Sequence, residues 1–201
     1  MKILILGGFL GSGKTTLLLQ MARDMAEHSV SQSENKVIIL ENEVGQDGID
    51  NKLLGSSGFK VSSLFNGCIC CTLSGEIIAS VADIEKKYHP EWLIIETTGL
   101  AYPGLIRNNL KEALGKEAYI CTLVDASRWK RFRIPMQELL KGQIECADMV
   151  LLNKADLVDE EEMNRVEQEV HLFREDVPCF RTSGLTEAYP EVWQRIREEC
   201  S

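Results

Sequence analysis

Residues 2–16 read KILILGGFLGSGKTT. An apolar run from Ile3 to Leu6 leads into GGFLGSGKTT, where Gly8 to Thr15 fit the pattern G-x-x-x-x-G-K-[ST]. Pattern and context predict a buried strand, a glycine-rich loop and a helix near 14–28. Such a loop suits an anion, because its backbone N–H groups and the helix N-terminus converge on phosphate oxygens. Gly8, Gly11, Ser12 and Gly13 form the cradle, and the glycines let the backbone turn and approach. Lys14 puts a charge on the β- and γ-phosphates, the Thr15 hydroxyl can ligate Mg²⁺, and Thr16 can reach the α-phosphate. A strand-to-helix turn that binds nothing is the plainer alternative, and the order strand, loop, helix weighs against it.

The same rhythm runs along the chain. Val37 to Leu40, Leu93 to Ile95, Ile120 to Val124 and Val150 to Leu152 are short runs rich in Ile, Leu and Val, as buried parallel strands are. Helical patterns lie near 73–88, 103–115, 135–146, 159–172 and 187–199. In DEEEMNRVEQEVHLF, from Asp159, acidic residues load the first turn, which suits the positive end of a helix dipole. This alternation predicts an α/β fold, a mostly parallel sheet with helices on both faces. Gly45 to Ser63 is rich in Gly, Ser and Asn, breaks the rhythm, and is expected to form an irregular excursion or a hairpin. No repeat or linker divides the chain, so residues 1–201 are expected to form a single domain, with no second C-terminal domain.

A phosphate loop in such a fold needs an acidic residue at the end of a neighbouring strand for the metal shell. EWLIIETTGLAYP, residues 91–103, supplies Glu96 for Mg²⁺, and then Gly99, whose amide can approach a γ-phosphate. A helix N-cap region with an incidental acid is the alternative, and Thr97 and Thr98 suit it. In VLLNKADLV, residues 150–158, a strand is followed by Asn153, Lys154 and Asp156. In N-K-x-D the carboxylate can accept two N–H bonds from the guanine edge, whereas adenine would leave it partly unpaired. Lys154 can lie along the base, and Asn153 can brace the loop. In FRTSGLT, Ser183 and Gly184 are placed where their amides could back the base, although a plain helix-start loop reads the same way. No Arg closely follows either phosphate-facing motif, so no built-in arginine finger is expected and hydrolysis should be slow.

Composition narrows the rest. The 201 residues are 44% hydrophobic and 26% charged, ordinary for a globular protein. A net charge of −9 argues against a nucleic-acid partner. The basic run RWKRFR, Arg128 to Arg133, is expected to be a solvated segment between elements. No stretch approaches the roughly 20 apolar residues of a membrane span. Seven cysteines, an odd number, point to reduced thiols and a cytoplasmic setting.

Three of those cysteines fall together in NGCICCTL, residues 66–73. Thiolates are soft ligands for Zn²⁺ and similar ions. Cys68 and Cys70 share a face when extended, and Cys71 joins them if the chain turns. Three protein ligands leave a fourth position open, as suits an ion that must be delivered. Small buried hydrophobes or a redox group are the alternatives. Cys121, Cys146 and Cys179 sit in strand or helix patterns, where a buried structural thiol is expected.

Taken in order, GGFLGSGKTT, ENEVGQDGID, NGCICCTL, ETTGLAYP and NKADL resemble the CobW-type members of the CobW/HypB/UreG family of P-loop GTPases. The resemblance implies a SIMIBI-class fold, slow Mg²⁺-dependent GTP hydrolysis, and a role in moving metal ions or maturing metal and corrinoid systems. By position it makes Glu41 to Gly45 a switch segment, with Glu43 near the γ-phosphate or the thiolates. It assigns Lys14, Glu43 and Glu96 to catalysis and matches Asp125 in LVDAS, which has a structural reading as well. Two features depart from the family: only His28, His89 and His171 are present, and Tyr102 stands where relatives carry an acid. The leading expectation is a metallochaperone that binds GTP or GDP with Mg²⁺ and carries Zn²⁺ or Co²⁺ to a client protein. A homodimer is a possible assembly. A nucleotide-gated storage or sensing module, and a GTPase chaperone of a corrinoid enzyme, are the other readings.

Overall fold

The apolar runs and the helical patterns between them fold into one layered unit in the computed structural model, which describes residues 1–29, 36–41, 59–63, 73–185 and 189–200. The strands are β1 (Lys2–Gly8), β2 (Val37–Glu41), β3 (Phe59–Ser63), β4 (Trp92–Glu96), β5 (Tyr119–Asp125), β6 (Met149–Asn153) and β7 (Cys179–Arg181). The helices are α1 (Lys14–Glu27), α2 (Leu73–Tyr88), α3 (Pro103–Leu114), α4 (Trp129–Phe132), α5 (Gln137–Ile144), α6 (Glu160–His171) and α7 (Pro190–Glu199). The strands make one parallel sheet in the order β3-β2-β4-β1-β5-β6-β7.

Strand side chains alternate between faces, and both faces are buried. Ile3, Ile5, Ile38 and Leu40 pack into one core, with Ile77 and Val81 of α2 and Leu110 of α3. Leu4, Leu6, Val37 and Ile39 pack into the other, against Leu17 and Met21 of α1 and Trp193 of α7. That is why the central strands are apolar without interruption.

Two expectations fail. Residues 59–63 of the expected excursion or hairpin are an edge strand running parallel to β2, with Val37 opposite Phe59 and Glu41 opposite Ser63. Residues 45–58 lie outside the described ones. The run RWKRFR is not a solvated segment either. Trp129 is 2% exposed, and its indole N–H donates to Glu169 Oε2 at 2.6 Å. Phe132, one helical turn on, lies 4.8 Å from Phe9 between ring centroids. The two aromatic rings pull the segment inward while its basic residues stay at the rim.

Candidate nucleotide site

β4 and β5 flank β1 in the sheet, and the loop after β1 opens at their C-terminal edge, where parallel sheets gather ligands. Gly13 caps α1 at φ 94°, and a Cβ there would stand 2.4 Å from Asn153 Nδ2. This position therefore requires glycine. No side chain caps α1, an arrangement that leaves first-turn N–H groups to an anion. The buried Lys14 ammonium donates to the carbonyls of Gly8, at 3.0 Å, and Phe9, at 3.4 Å. Thr15 Oγ1 donates to Glu96 Oε1 at 3.0 Å, and Glu96 is buried. Thr15, Thr16 and Glu96 line a cleft of about 200 Å³ with Lys14, Gly11 and Gly13. A hydroxyl and a carboxylate are hard oxygen donors that fit Mg²⁺, so Thr15 and Glu96 are the residues that would hold it. Glu41 ends β2 in register with Glu96 and brings a second buried carboxylate to the same edge.

The putting-together of the base-side loop starts from β6, which ends at the buried Asn153. Its Nδ2 donates to the Ser12 carbonyl at 2.7 Å, and its Oδ1 accepts from Thr182 Oγ1 at 3.2 Å. One side chain thus ties the N-K-x-D loop to the phosphate loop and to the end of β7. Lys154 follows at φ 63°, a left-handed conformation uncommon outside glycine and often found at functional sites. Its ammonium donates to Asp125 Oδ2 at 2.6 Å. Asp156 sits in a short 3-10 turn and is exposed. The Ser183 amide donates to the Tyr189 hydroxyl. Gly184 packs on Thr16, whose Cγ2 would lie 3.3 Å from an added Cβ.

Sequence reading missed two side chains here. Arg128 donates through Nε to Asp125 Oδ2 and through Nη2 to the Leu10 carbonyl, both at 2.6 Å. An arginine from outside both phosphate-facing motifs thus reaches the phosphate loop, committed there to a carboxylate and a carbonyl. Its spacing, three residues after a strand-end Asp, was the available signal. Burial pushes the Asp125 carboxyl up, but hydrogen bonds from Lys154, Ser127 and Arg128 outweigh it and hold the group below its ordinary value. Gln143 is the second. It is a buried amide in the apolar stripe of α5, beside Leu139, Leu140 and Ile144.

Glu43, Cys68, Cys70 and Cys71 lie outside the described residues. Among those described, no cluster of three or more His, Cys, Asp or Glu could hold a metal ion. Cys121, Cys146, Cys179 and Cys200 are free thiols. Burial pushes Cys179 up to about 12 and Cys200 up to about 11, and raises Cys121 as well. These thiols stay protonated and chemically quiet. A larger cleft, about 660 Å³, opens at the opposite edge of the sheet. Its charges are paired, Arg107 with Asp148 at 3.0 Å, Lys111 with Glu117 at 2.7 Å, and Glu199 with Arg195 at 2.7 Å. No helix among the described residues is long and apolar enough to cross a membrane.

Comparison with known proteins agrees with this fold. The zinc-regulated GTPase metalloprotein activator 1 of Dictyostelium discoideum is 29% identical, over 96% of this chain and 48% of its own length. The zinc chaperone YjiA of Escherichia coli (strain K12) is 31% identical, over 80% of this chain and 51% of its own. The chain thus spans about half the length of these relatives. The crystal structure of Zn(II)-bound YjiA GTPase from E. coli superimposes with a TM-score of 0.61 at 24% identity, covering 89% of this chain and 56% of that one. FtsY from Mycoplasma mycoides superimposes with 0.59 at 17% identity, covering 89% of this chain and 59% of its own. Both structures share the fold. The sequence pattern of the CobW/HypB/UreG nucleotide-binding domain matches residues 2–181, from β1 through β7, and the chain belongs to that family.

Proposed function

We propose that the chain is a GTP-binding, slowly hydrolysing metallochaperone domain that couples nucleotide state to the handling of a divalent ion for a client protein. One observation carries the nucleotide half. Asn153 of the N-K-x-D loop bonds the Ser12 carbonyl, so the base-side and phosphate-side motifs are parts of one rigid site. Within it the α1 N-terminus and Lys14 bind the phosphates. Asp156, exposed at the rim, accepts the guanine N–H pair. Mg²⁺, when bound by Thr15 and Glu96, supplies charge neutralisation on the β- and γ-phosphate oxygens. Hydrolysis is slow because Arg128 is held by Asp125 and the Leu10 carbonyl and no arginine closely follows either phosphate-facing motif. Glu43 is the candidate for orienting the attacking water or for handling the cargo. Cys68, Cys70 and Cys71 are the candidate cargo ligands. The zinc chaperone named among the relatives favours zinc over cobalt, and delivery to a client over service to a corrinoid enzyme.

The test is nucleotide choice. Wild type should prefer GTP over ATP, and Asp156→Asn should lose about 10- to 100-fold in GTP affinity, as expected for a lost bond to a charged group. The same variant should gain affinity for xanthosine triphosphate, whose carbonyl can accept from the new amide. Equal binding of ATP and GTP by wild type overturns the assignment.

A further inference from the structure

Gln143 sits on α5, outside every nucleotide motif, yet its side chain ends on the turn that follows Glu96 and Thr97. Its Nε2 donates to the Gly99 carbonyl at 3.2 Å and to the Ala101 carbonyl at 2.9 Å. Its own backbone carbonyl accepts from Thr122 Oγ1 of β5 at 2.9 Å, which ties this part of α5 to the sheet. The segment it grips is a tight turn, closed by the Ala101 amide donating to the Thr98 carbonyl at 3.1 Å. That turn meets the phosphate loop backbone to backbone. A Cβ on Gly99 would stand 2.6 Å from the Leu10 nitrogen. A second contact from the same helix holds the turn's far end: the Tyr102 ring lies over Gly142, 2.5 Å from where a Cβ would be. Burying a primary amide at 1% exposure costs stability unless it is bonded, and Leu or Met would fill the same space. The amide is therefore accounted for by the two carbonyls it holds.

We propose that Gln143 is a positioning residue, a latch that holds the Gly99–Ala101 turn against the phosphate loop and so aims the Gly99 amide at a terminal phosphate. The inference rests on the proposed function, since it takes the Gly99 amide as the γ-phosphate contact. GTP and GDP differ only in that phosphate. Loss of the latch should therefore weaken GTP binding and spare GDP. A residue that merely filled the core would weaken both or neither.

The experiment measures GTP and GDP affinities by fluorescent-nucleotide titration for wild type and Gln143→Met, which keeps the side chain's length and removes its donors. The expected result is a fall of about tenfold in the GTP-to-GDP affinity ratio, the scale of a lost hydrogen bond, with GDP binding unchanged. Amide hydrogen exchange at Ala101 should quicken in the same variant. A wild-type ratio, or an equal loss for both nucleotides, overturns the latch. Tyr102→Ala, at a partly exposed position, removes the second contact and should lower the same ratio by a smaller factor. If Gln143→Met does not fold, an unchanged ratio in Tyr102→Ala overturns the latch by itself. A wild type that binds neither nucleotide brings down the proposed function, and the latch with it.

Discussion

Asp125 holds two cations on one carboxylate oxygen, Arg128 from the phosphate-loop side and Lys154 from the base-side loop. Its other oxygen accepts from Ser127 Oγ at 2.6 Å and the Arg128 amide at 3.2 Å. The residue is buried while both cations reach solvent, so removing the charge leaves the cations hydrated but unties the two loops. Asp125→Asn should cost about 1–3 kcal/mol at neutral pH, in the range of hydrogen bonds to charged groups. The folded-state pKa lies below the unfolded value of about 3.9. The stabilisation is therefore fully present above about pH 5 and fades as pH falls toward the folded pKa. Urea unfolding of both proteins from neutral to acid pH checks this, and a stability gap that stays constant into acid contradicts it. Neither the pairing nor its strength was legible in LVDAS, because it needs side chains that meet only in the folded chain.

Among the elements, α4 shows how a charge run can hide a core contact. Trp129 is buried, bonds Glu169 of α6 and lies 6.3 Å from the Phe173 ring. Trp129→Ala should destabilise the fold by about 3–5 kcal/mol, the usual range for emptying a large aromatic site. Trp129→Phe, which keeps most of the packing, should cost distinctly less. Equal midpoints for wild type and the Ala variant in a denaturant titration would contradict the packing. The six helices expected from periodicity are present, and the strands read correctly were β1, β2, β4, β5 and β6, which are apolar on both faces because helices cover both. The edges were harder. FKVSS in β3 mixes polar residues into its five positions, and β7 has only three residues. An edge strand has one neighbour and less need of apolar character. The site divided the same way. Contiguous motifs such as GGFLGSGKTT and NKAD announced themselves, whereas Gln143 and Arg128 make their hydrogen bonds across the fold. A Gln in an apolar helix stripe was the one signal for the former.

At the scale of the molecule, topology sets what nucleotide state can touch. Ser63, Glu41 and Glu96 stand in register at the C-terminal ends of β3, β2 and β4. The chain leaves β3 at Ser63, and Cys68 follows five residues later. The edge where β3 ends also carries Thr15, Glu96 and the Gly99 turn. In the proposed function, a γ-phosphate contact that orders one segment at this edge would act on its neighbours. If GTP changes the affinity for the ion, the ion must change the affinity for GTP by the same factor, typically about 5- to 150-fold. Zn²⁺ titrations of the GTP- and GDP-loaded protein should therefore differ, and GTP titrations with and without Zn²⁺ should differ by a matching factor. A variant carrying Cys68→Ser, Cys70→Ser and Cys71→Ser should lose the tight ion site and keep GTP binding, which the proposed function assigns to Lys14, Thr15 and Asp156. A variant that retains the ion returns the cysteines to a structural role. Identical Zn²⁺ binding in the two nucleotide states removes the gating and leaves a GTP-binding domain whose ion site is independent of it.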